Sequence, residues 1–157
     1  MNRRTLLTSL VIASALVVPI SAFEKPNFSG AWKMNASKSD FGPMPAPDTL
    51  ERKITHEDPS LKWSQTQSGQ QGTATTEVAY TTDGKPSTNK TPRGEVTGVA
   101  KWDGDVLTIN SKREVQGMEI TQAERWTLSP DGKTLTITNK LTAPQGEFEL
   151  KVVLEKQ

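Results

Sequence analysis

The fold is decided by residues 107–128, which read LTINSKREV-QG-MEITQAERWTL. Apolar and polar side chains alternate on both sides of Gln116-Gly117. A glycine between two alternating segments is a strong hairpin signal, because tight hairpin turns require positive φ. Treating Gln116-Gly117 as a two-residue turn pairs Leu107 with Trp126 and puts the apolar side chains of both segments on one face. The stretch therefore predicts an antiparallel hairpin with a single core face.

The same alternation continues on either side of this hairpin. A turn at Gly104-Asp105 aligns the preceding strand, and a four-residue loop at Ser129–Gly132 aligns the following strand by setting Trp126 opposite Leu135. Each choice keeps the apolar residues on the same face, so we expect one continuous sheet over this part of the chain. The predicted apolar row across five strands consists of Trp102, Leu107, Trp126, Leu135 and Leu154.

The first half of the chain carries weaker strand signals, and no window has the 3.6-residue apolar period of an amphipathic helix. Short strands joined by hairpins favour an up-and-down meander, and closing the meander into a barrel removes exposed sheet edges. We therefore expect an all-β protein, an antiparallel up-and-down β-barrel of about 8–10 strands. The early strands are expected near residues 28–34, 50–57, 61–67, 73–82 and 86–91.

Residues 1–22 have the layout of a bacterial secretory signal peptide. Arg3-Arg4 supply the basic start, residues 6–18 are mostly apolar, and small residues form a cleavage site at the end. The apolar run is too short for a membrane-spanning helix. The arginine pair also fits a twin-arginine leader. We expect a single mature domain, residues 23–157, that is periplasmic or secreted.

Composition excludes several classes of function. The chain has no cysteine, which rules out disulfides, thiolate metal sites and a lipid-modified cysteine at the cleavage point. The leader holds two of the 19 basic residues and none of the 18 acidic ones, which leaves a net charge of −1 on the mature chain. Scattered, near-neutral charge gives no electrostatic footprint for nucleic acid or an anionic membrane. We therefore expect no nucleic-acid partner and no membrane anchor.

The middle of the predicted core face is polar. Polar side chains on a core face are costly unless they have hydrogen-bond partners or water, and here they lie beside Gly98 and Ala100, which leave volume unfilled. This pattern is typical of a solvated cavity. One alternative is that this end of the sheet is exposed to solvent. The other is a β-bulge that reverses which side chains face the core. The predicted ligand-binding residues are Arg52, Gln65, Arg113, Gln122, Glu124 and Asn139.

Chemistry beyond binding has few candidates. Glu124, predicted between Ile109 and Ile137 with Arg113 nearby, could orient a ligand head group or act as an acid. The alternative is a water-exposed or loop-paired glutamate. His56, the single histidine, lies at a strand end beside two acidic residues and is expected to be an exposed polar side chain. No catalytic set and no metal-ligand cluster is recognisable, so we expect no enzyme, no metal and no cofactor.

Residues 35–48 form a long connection in which prolines alternate with other residues. Proline lacks a backbone donor and favours extended structure, so this segment cannot be a central strand. It is either a stiff lid that carries Phe41 and Met44 across a barrel mouth or an ordinary surface connection.

Gly30-Ala31-Trp32, in the first strand after the leader, resembles the Gly-x-Trp signature of lipocalins and their calycin relatives. In that family the tryptophan packs at the closed end of an antiparallel barrel, and the first loop is a long lid over the open end. Trp32 and residues 35–48 match those two positions. The lipocalin helix and the helical lid of fatty-acid-binding proteins have no counterpart in the sequence. The resemblance implies a small barrel that holds an apolar or amphipathic molecule.

These observations together predict an exported β-barrel that binds a small hydrophobic or amphipathic molecule in its interior. The alternative is an envelope interaction module whose barrel is filled and which acts through its loops. A filled interior predicts no stabilisation by any ligand, whereas a binder gains stability as the ligand concentration rises.

Overall fold

A computed structural model describes residues 24–157, so the predicted leader at residues 1–22 lies outside the described residues. The described chain forms ten strands and one short 3₁₀ turn at Ala36–Lys38. The strands are β1 Gly30–Met34, β2 Thr49–Glu57, β3 Ser60–Gly69, β4 Gly72–Thr81, β5 Asp83–Thr91, β6 Gly94–Asp103, β7 Val106–Val115, β8 Met118–Leu128, β9 Thr134–Ala143 and β10 Gly146–Lys156.

The ten strands form one antiparallel sheet in the order β4-β3-β2-β1-β10-β9-β8-β7-β6-β5. The first and last strands pair with each other, with Met34 opposite Leu154. This pairing curls the meander into a nearly closed barrel, and the end strands β4 and β5 come to lie side by side. The predicted all-β barrel is confirmed, with ten strands.

The hairpins of the second half form as predicted. Gln116 and Gly117 both have positive φ, 52° and 76°, and they set Leu107 opposite Trp126. Positive φ at both central residues gives the turn a twist that matches the twist of the flanking strands. Gly104 likewise has a φ of 65°. The side-chain parity inferred from the sequence therefore holds across β6, β7 and β8.

One predicted register is wrong. The last pair of the β8–β9 ladder, Leu128 and Leu135, encloses six residues instead of the predicted four, so Trp126 lies opposite Ile137 and not opposite Leu135. The Ser129 hydroxyl accepts a hydrogen bond from the backbone N–H of Thr134 at 2.9 Å, which draws two further residues into the loop. Side-chain bonds of this kind compete with strand pairing. Because the shift is two residues, the parity survives and the apolar residues stay inside.

The core is concentrated at one end of the barrel, which we call the closed end. Trp32 packs there, as the Gly-x-Trp resemblance implies, and its Nε1 donates to the backbone carbonyl of Phe28 at 2.9 Å. Burying a large apolar side chain contributes about 1.5–3 kcal/mol, so this end is the stable base of the barrel. The almost fully buried side chains are Phe28, Trp32, Leu61, Leu107, Ile109, Trp126, Leu135 and Leu154.

His56 is buried at the closed end and not exposed as predicted, with 4% of its surface accessible. The backbone N–H of Phe28 donates to its Nδ1 at 3.3 Å, and its Nε2 lies 3.5 Å from Asp58 Oδ1. Asp58 also accepts hydrogen bonds from the Thr82 hydroxyl and from Trp102 Nε1, and these bonds lower the pKa of Asp58. The segment that covers the imidazole is distant in sequence, so a position at a strand end does not reveal the burial.

Candidate ligand-binding site

The barrel interior holds a cavity of about 310 Å³ above the closed-end core. Cavities that bind small molecules are typically ~300–1,000 Å³, so this one suits a small ligand. The parity of the strands turns all six predicted ligand-binding residues inward, and all six line the cavity. Their contact with a ligand stays a prediction. These residues are Arg52, Gln65, Arg113, Gln122, Glu124 and Asn139.

The rest of the cavity wall is largely apolar. Aromatic and aliphatic side chains surround the polar residues on both sides of the barrel, which gives the cavity an amphipathic surface. These side chains are Leu50, Trp63, Val78, Tyr80, Val96, Ile109, Ile137, Leu141, Leu150 and Val152.

The segment from Phe41 to Pro47, which we call the lid, lies against the cavity at the open end of the barrel, and this position favours the first of the two interpretations of the sequence. Phe41 and Met44 both line the cavity. The lid is fixed at its start, where Asp40 and Lys151 exchange two backbone hydrogen bonds of 2.7 Å. At its end, the Asp48 N–H donates to the backbone carbonyl of Ser68 on β3 at 2.9 Å. The lid is therefore held by backbone bonds on both sides of its tip.

Arg52 crosses the interior from β2. Its Nε donates to Gln65 Oε1 at 2.9 Å, and its Nη2 contacts the same oxygen. Its Cζ lies 5.3 Å and 5.0 Å from the ring centroids of Trp63 and Trp126, within the range of cation–π attraction. Burial lowers the pKa of Arg52, and the carboxylate of Glu124 acts in the opposite direction. Arg52 Nη1 is buried without a partner within residues 24–157.

Glu124 is the single acidic residue among the described residues that line the cavity. Its Oε2 accepts a hydrogen bond from Trp126 Nε1 at 2.7 Å. The two-residue register shift places it opposite Asn139, instead of opposite Ile137 as predicted. Asn139 Oδ1 is buried and has no hydrogen-bond partner in the described part of the chain. A carboxylate and an open amide oxygen therefore lie side by side on this wall.

The guanidinium of Arg113 has fewer partners than that of Arg52. The sequence placed it near Glu124, but the guanidinium that Glu124 acts on is that of Arg52, from the opposite wall. Burial, and then the positive charge of Arg93, lowers the pKa of Arg113. Arg113 Nε is buried and lacks a partner within the described residues. Two like charges and an open donor favour the binding of an anion, since charge-assisted hydrogen bonds are the strong ones.

Trp63, Tyr80 and Arg93 line the cavity as well, although they are not among the predicted ligand-binding residues. Trp63 and Tyr80 share the inward parity of their strands, and that signal could have assigned them to the cavity. Their rings stack with centroids 5.4 Å apart. Burial, followed by the charge of Glu124, raises the pKa of Tyr80 to about 12. Arg93 lies in the β5–β6 turn, where side chains do not alternate between the two faces of the sheet, so the sequence does not indicate whether Arg93 faces inward.

A larger depression of about 940 Å³ lies on the outer face of β6 to β10. Its rim carries exposed charges, including the pair of Arg125 and Asp103 at 3.2 Å. Exposed ion pairs are screened by water and contribute little, so the interior cavity with its buried unpartnered atoms is the stronger candidate. Within residues 24–157, no cluster of three or more His, Asp or Glu side chains could hold a metal ion. No helix in this range is long and apolar enough to cross a membrane.

Comparison with known proteins finds likeness only among solved structures, since no family model and no curated protein matches the chain. The zebrafish ileal bile acid-binding protein complexed with cholic acid has a TM-score of 0.57 and 20% identity, over 83% of this chain and 98% of that chain. A secretory abundant heat soluble protein of Ramazzottius varieornatus has a TM-score of 0.59 and 15% identity, over 85% and 97%. A mutant of the fluorescent protein UnaG has a TM-score of 0.56 and 16% identity, over 83% and 96%.

The chain shares the antiparallel β-barrel fold of these structures. The resemblance carried by Gly30-Ala31-Trp32 is thus confirmed at the level of fold. Sequence identities of 20% or less establish the fold and leave the function to be argued from the site.

Proposed function

We propose that this chain is an exported binding protein that holds a small amphipathic molecule with an anionic head group inside its barrel. The observation that carries the proposal is the interior cavity of about 310 Å³, whose wall includes buried polar atoms without a partner in residues 24–157. These atoms are Arg52 Nη1, Arg113 Nε and Asn139 Oδ1. Buried polar atoms are normally hydrogen-bonded, so a ligand that supplies their partners would be stabilised there.

The charge of the cavity wall supports an anion. Three arginines line it, Arg52, Arg93 and Arg113, against one carboxylate, Glu124. Arg52 already has Gln65, two aromatic faces and Glu124 as partners. We therefore assign the head group to Arg113 and Arg93 near the lid, with the apolar part of the ligand against the aliphatic wall below.

The structural comparisons support the same class of ligand without assigning it. The zebrafish protein was crystallised with cholic acid, an amphipathic molecule that carries a carboxylate. In the present barrel the arginines, the amides and the apolar wall provide complementary surfaces for a molecule of that general chemistry.

Native mass spectrometry tests binding and export together. The protein is purified from the envelope fraction of its own host and measured before and after organic extraction. We expect a chain that lacks residues 1–22 and carries a small molecule that extraction removes. A clean apo mass, with no thermal stabilisation by a panel of lipids and small acids, would instead favour the filled-barrel interaction module. A full-length mass or a cytoplasmic location would contradict export.

A substitution tests the head-group assignment. Replacing Arg113 with Gln should weaken binding of dodecanoic acid about tenfold to hundredfold, because a hydrogen bond to a charged group contributes ~1.5–3 kcal/mol. Binding of dodecanol should change little. Lys112→Gln is the matched control, since the Lys112 side chain is exposed on the outer face of the same strand. An equal loss for the acid and the alcohol in R113Q would show that Arg113 only shapes the cavity.

A further inference from the structure

The barrel wall has a seam between β4 and β5. Every other neighbouring pair of strands shares a ladder of paired residues, whereas β4 and β5 are the two ends of the sheet. The side chain of Asn89 bridges them. Asn89 Oδ1 accepts from the backbone N–H of Ala79 at 2.7 Å, and Asn89 Nδ2 donates to the carbonyl of Ala79 at 3.0 Å. The Tyr80 hydroxyl is a further hydrogen-bonding neighbour of Asn89, and Thr81 and Asp83 hydrogen-bond across the closed end of the seam.

The inner side of the seam is closed by an aromatic ring. Tyr80 on β4 reaches over β5 to Gly98 on β6, where a Cβ atom added to the glycine would lie 3.0 Å from Tyr80 Cε1. Asn89 and Ser111 are hydrogen-bonding neighbours of the Tyr80 hydroxyl. The side chains of Tyr80 and Asn89 thus cover the seam. Either one can change its rotamer without breaking the backbone hydrogen bonds of the sheet.

Hydrogen bonds of Thr82 hold the seam together at the closed end of the barrel. Thr82, the single residue between β4 and β5, donates its N–H to the carbonyl of Pro59 at 2.9 Å and its hydroxyl to Asp58. These bonds lie at the closed end of the barrel. Toward the open end, the seam is flanked by the β3–β4 and β5–β6 turns. Separation of β4 and β5 would therefore begin at the open end, and the gap would narrow toward the closed end.

The seam adjoins the cavity directly. Thr76, Val78 and Tyr80 on β4 and Thr91 on β5 all line the cavity. The axial mouth, in contrast, lies under the lid, whose two ends are held by backbone hydrogen bonds. A sideways opening at the open end breaks the hydrogen bonds of the Asn89 side chain and leaves the backbone ladders of β4 and β5 with their other neighbours intact.

We propose that ligands pass into and out of the barrel sideways, between β4 and β5, and that Asn89 is the latch on this portal. Passage rests on the proposed binding function, but the opening of the seam does not. The Asn89 side chain is outside the cavity lining, so loosening the latch should change rates of passage and leave the affinity unaltered.

Amide hydrogen exchange on ligand-free protein tests the opening. We expect the amide of Ala79 to exchange faster than the amides at the centre of β8 in the wild type. In Asn89→Ala its exchange should accelerate roughly tenfold or more, given the usual contribution of two hydrogen bonds. Asn110→Ala is the control, because Asn110 is an exposed asparagine on β7, which is paired on both sides. Protection of Ala79 equal to that of β8 in the wild type would show that the seam stays shut.

Stopped-flow binding of 1-anilinonaphthalene-8-sulfonate, an anionic amphipathic fluorophore, tests the passage. Uptake and release should both accelerate roughly tenfold in Asn89→Ala, with unchanged Kd, and neither should change in Asn110→Ala. Unaltered rates in a variant whose Ala79 amide has lost protection would overturn the portal. A wild-type protein that takes up no fluorophore would contradict the binding function and passage together, and the exchange arm would still decide whether the seam opens.

Discussion

Gly98 is the residue at which the packing of the seam can be tested most directly. It is buried on β6, and replacing it with alanine adds one methyl group at the point where three elements meet. The new Cβ would lie 2.8 Å from Ser111 Cβ, 2.9 Å from the backbone oxygen of Asn110 and 3.0 Å from Tyr80 Cε1. Carbon atoms in proteins prefer separations of about 3.5–4.0 Å, so all three neighbours would have to move.

The magnitude follows from which of these atoms can move. Tyr80 can rotate away, but the oxygen of Asn110 and the Cβ of Ser111 are fixed to β7 by its pairing on both sides. Overpacking of this kind costs about 1–3 kcal/mol. Displacing Tyr80 would also loosen the inner cover of the seam. We therefore expect Gly98→Ala to lower the free energy of unfolding by roughly 1–3 kcal/mol and to accelerate exchange of the Ala79 amide.

Urea unfolding, followed by tryptophan fluorescence, measures the change, with the slope m expected to stay constant. Gly69→Ala is the matched control: Gly69 ends β3 without a positive φ, and its added Cβ would meet nothing closer than 3.8 Å. That variant should be neutral or slightly stabilised, because glycine is the poorer strand residue by ~0.5–1 kcal/mol. Adding Ser111→Gly to Gly98→Ala should restore part of the loss. Equal stabilities of the Gly98 and Gly69 variants would refute the argument.

Two further predictions concern the core. The pKa of Tyr80, raised to about 12, exceeds the value of ~10 expected in the unfolded chain, so the unfolded state loses the proton first. Stability contributed by the neutral phenol is present below about pH 10 and is lost as the pH rises through 12, by roughly 2–3 kcal/mol; an alkaline unfolding series should show this slope, and Tyr80→Phe should abolish it. Leu107→Ala at the closed end should cost about 2–5 kcal/mol in urea unfolding, because Leu107 is fully buried and the substitution leaves a cavity. Val106→Ala on the outer face of the same strand should cost far less, and similar losses for both would contradict the assignment of faces.

Local signals in the sequence account for most of the fold. A positive φ is required at Gln116-Gly117, and the alternation on both sides fixes which residues face inward. Both features are properties of short stretches, so they can be read without knowing the rest of the chain. The assignment of the six predicted site residues to the interior follows from the same parity, which is why all of them line the cavity.

The two wrong predictions, the β8–β9 register and the exposure of His56, arise where a single side chain or a distant segment determines the structure. Ser129 bonds within the loop and lengthens it by two residues, an effect that no alternation of apolar residues reports. His56 is covered by Phe28, which lies 28 positions earlier in the chain. Neither contact can be predicted from the sequence around the affected residue. The sequence of a strand end or a polar loop is the same whether or not another part of the chain contacts it.

Closure of the barrel determines which charged side chains meet in the cavity. The pairing of neighbouring strands alone does not predict these contacts. Along the sheet, Arg113 lies four residues beyond Ile109, the partner of Glu124, so the pairing of β7 with β8 does not bring the two charges together. Curling the sheet brings Arg52 from the opposite wall to Glu124 and Trp126, and this arrangement leaves the Arg113 guanidinium with an open donor and a second arginine beside it. The anion-binding character proposed for the cavity therefore depends on which arginine the single carboxylate faces. It should be lost if that partnership is reversed.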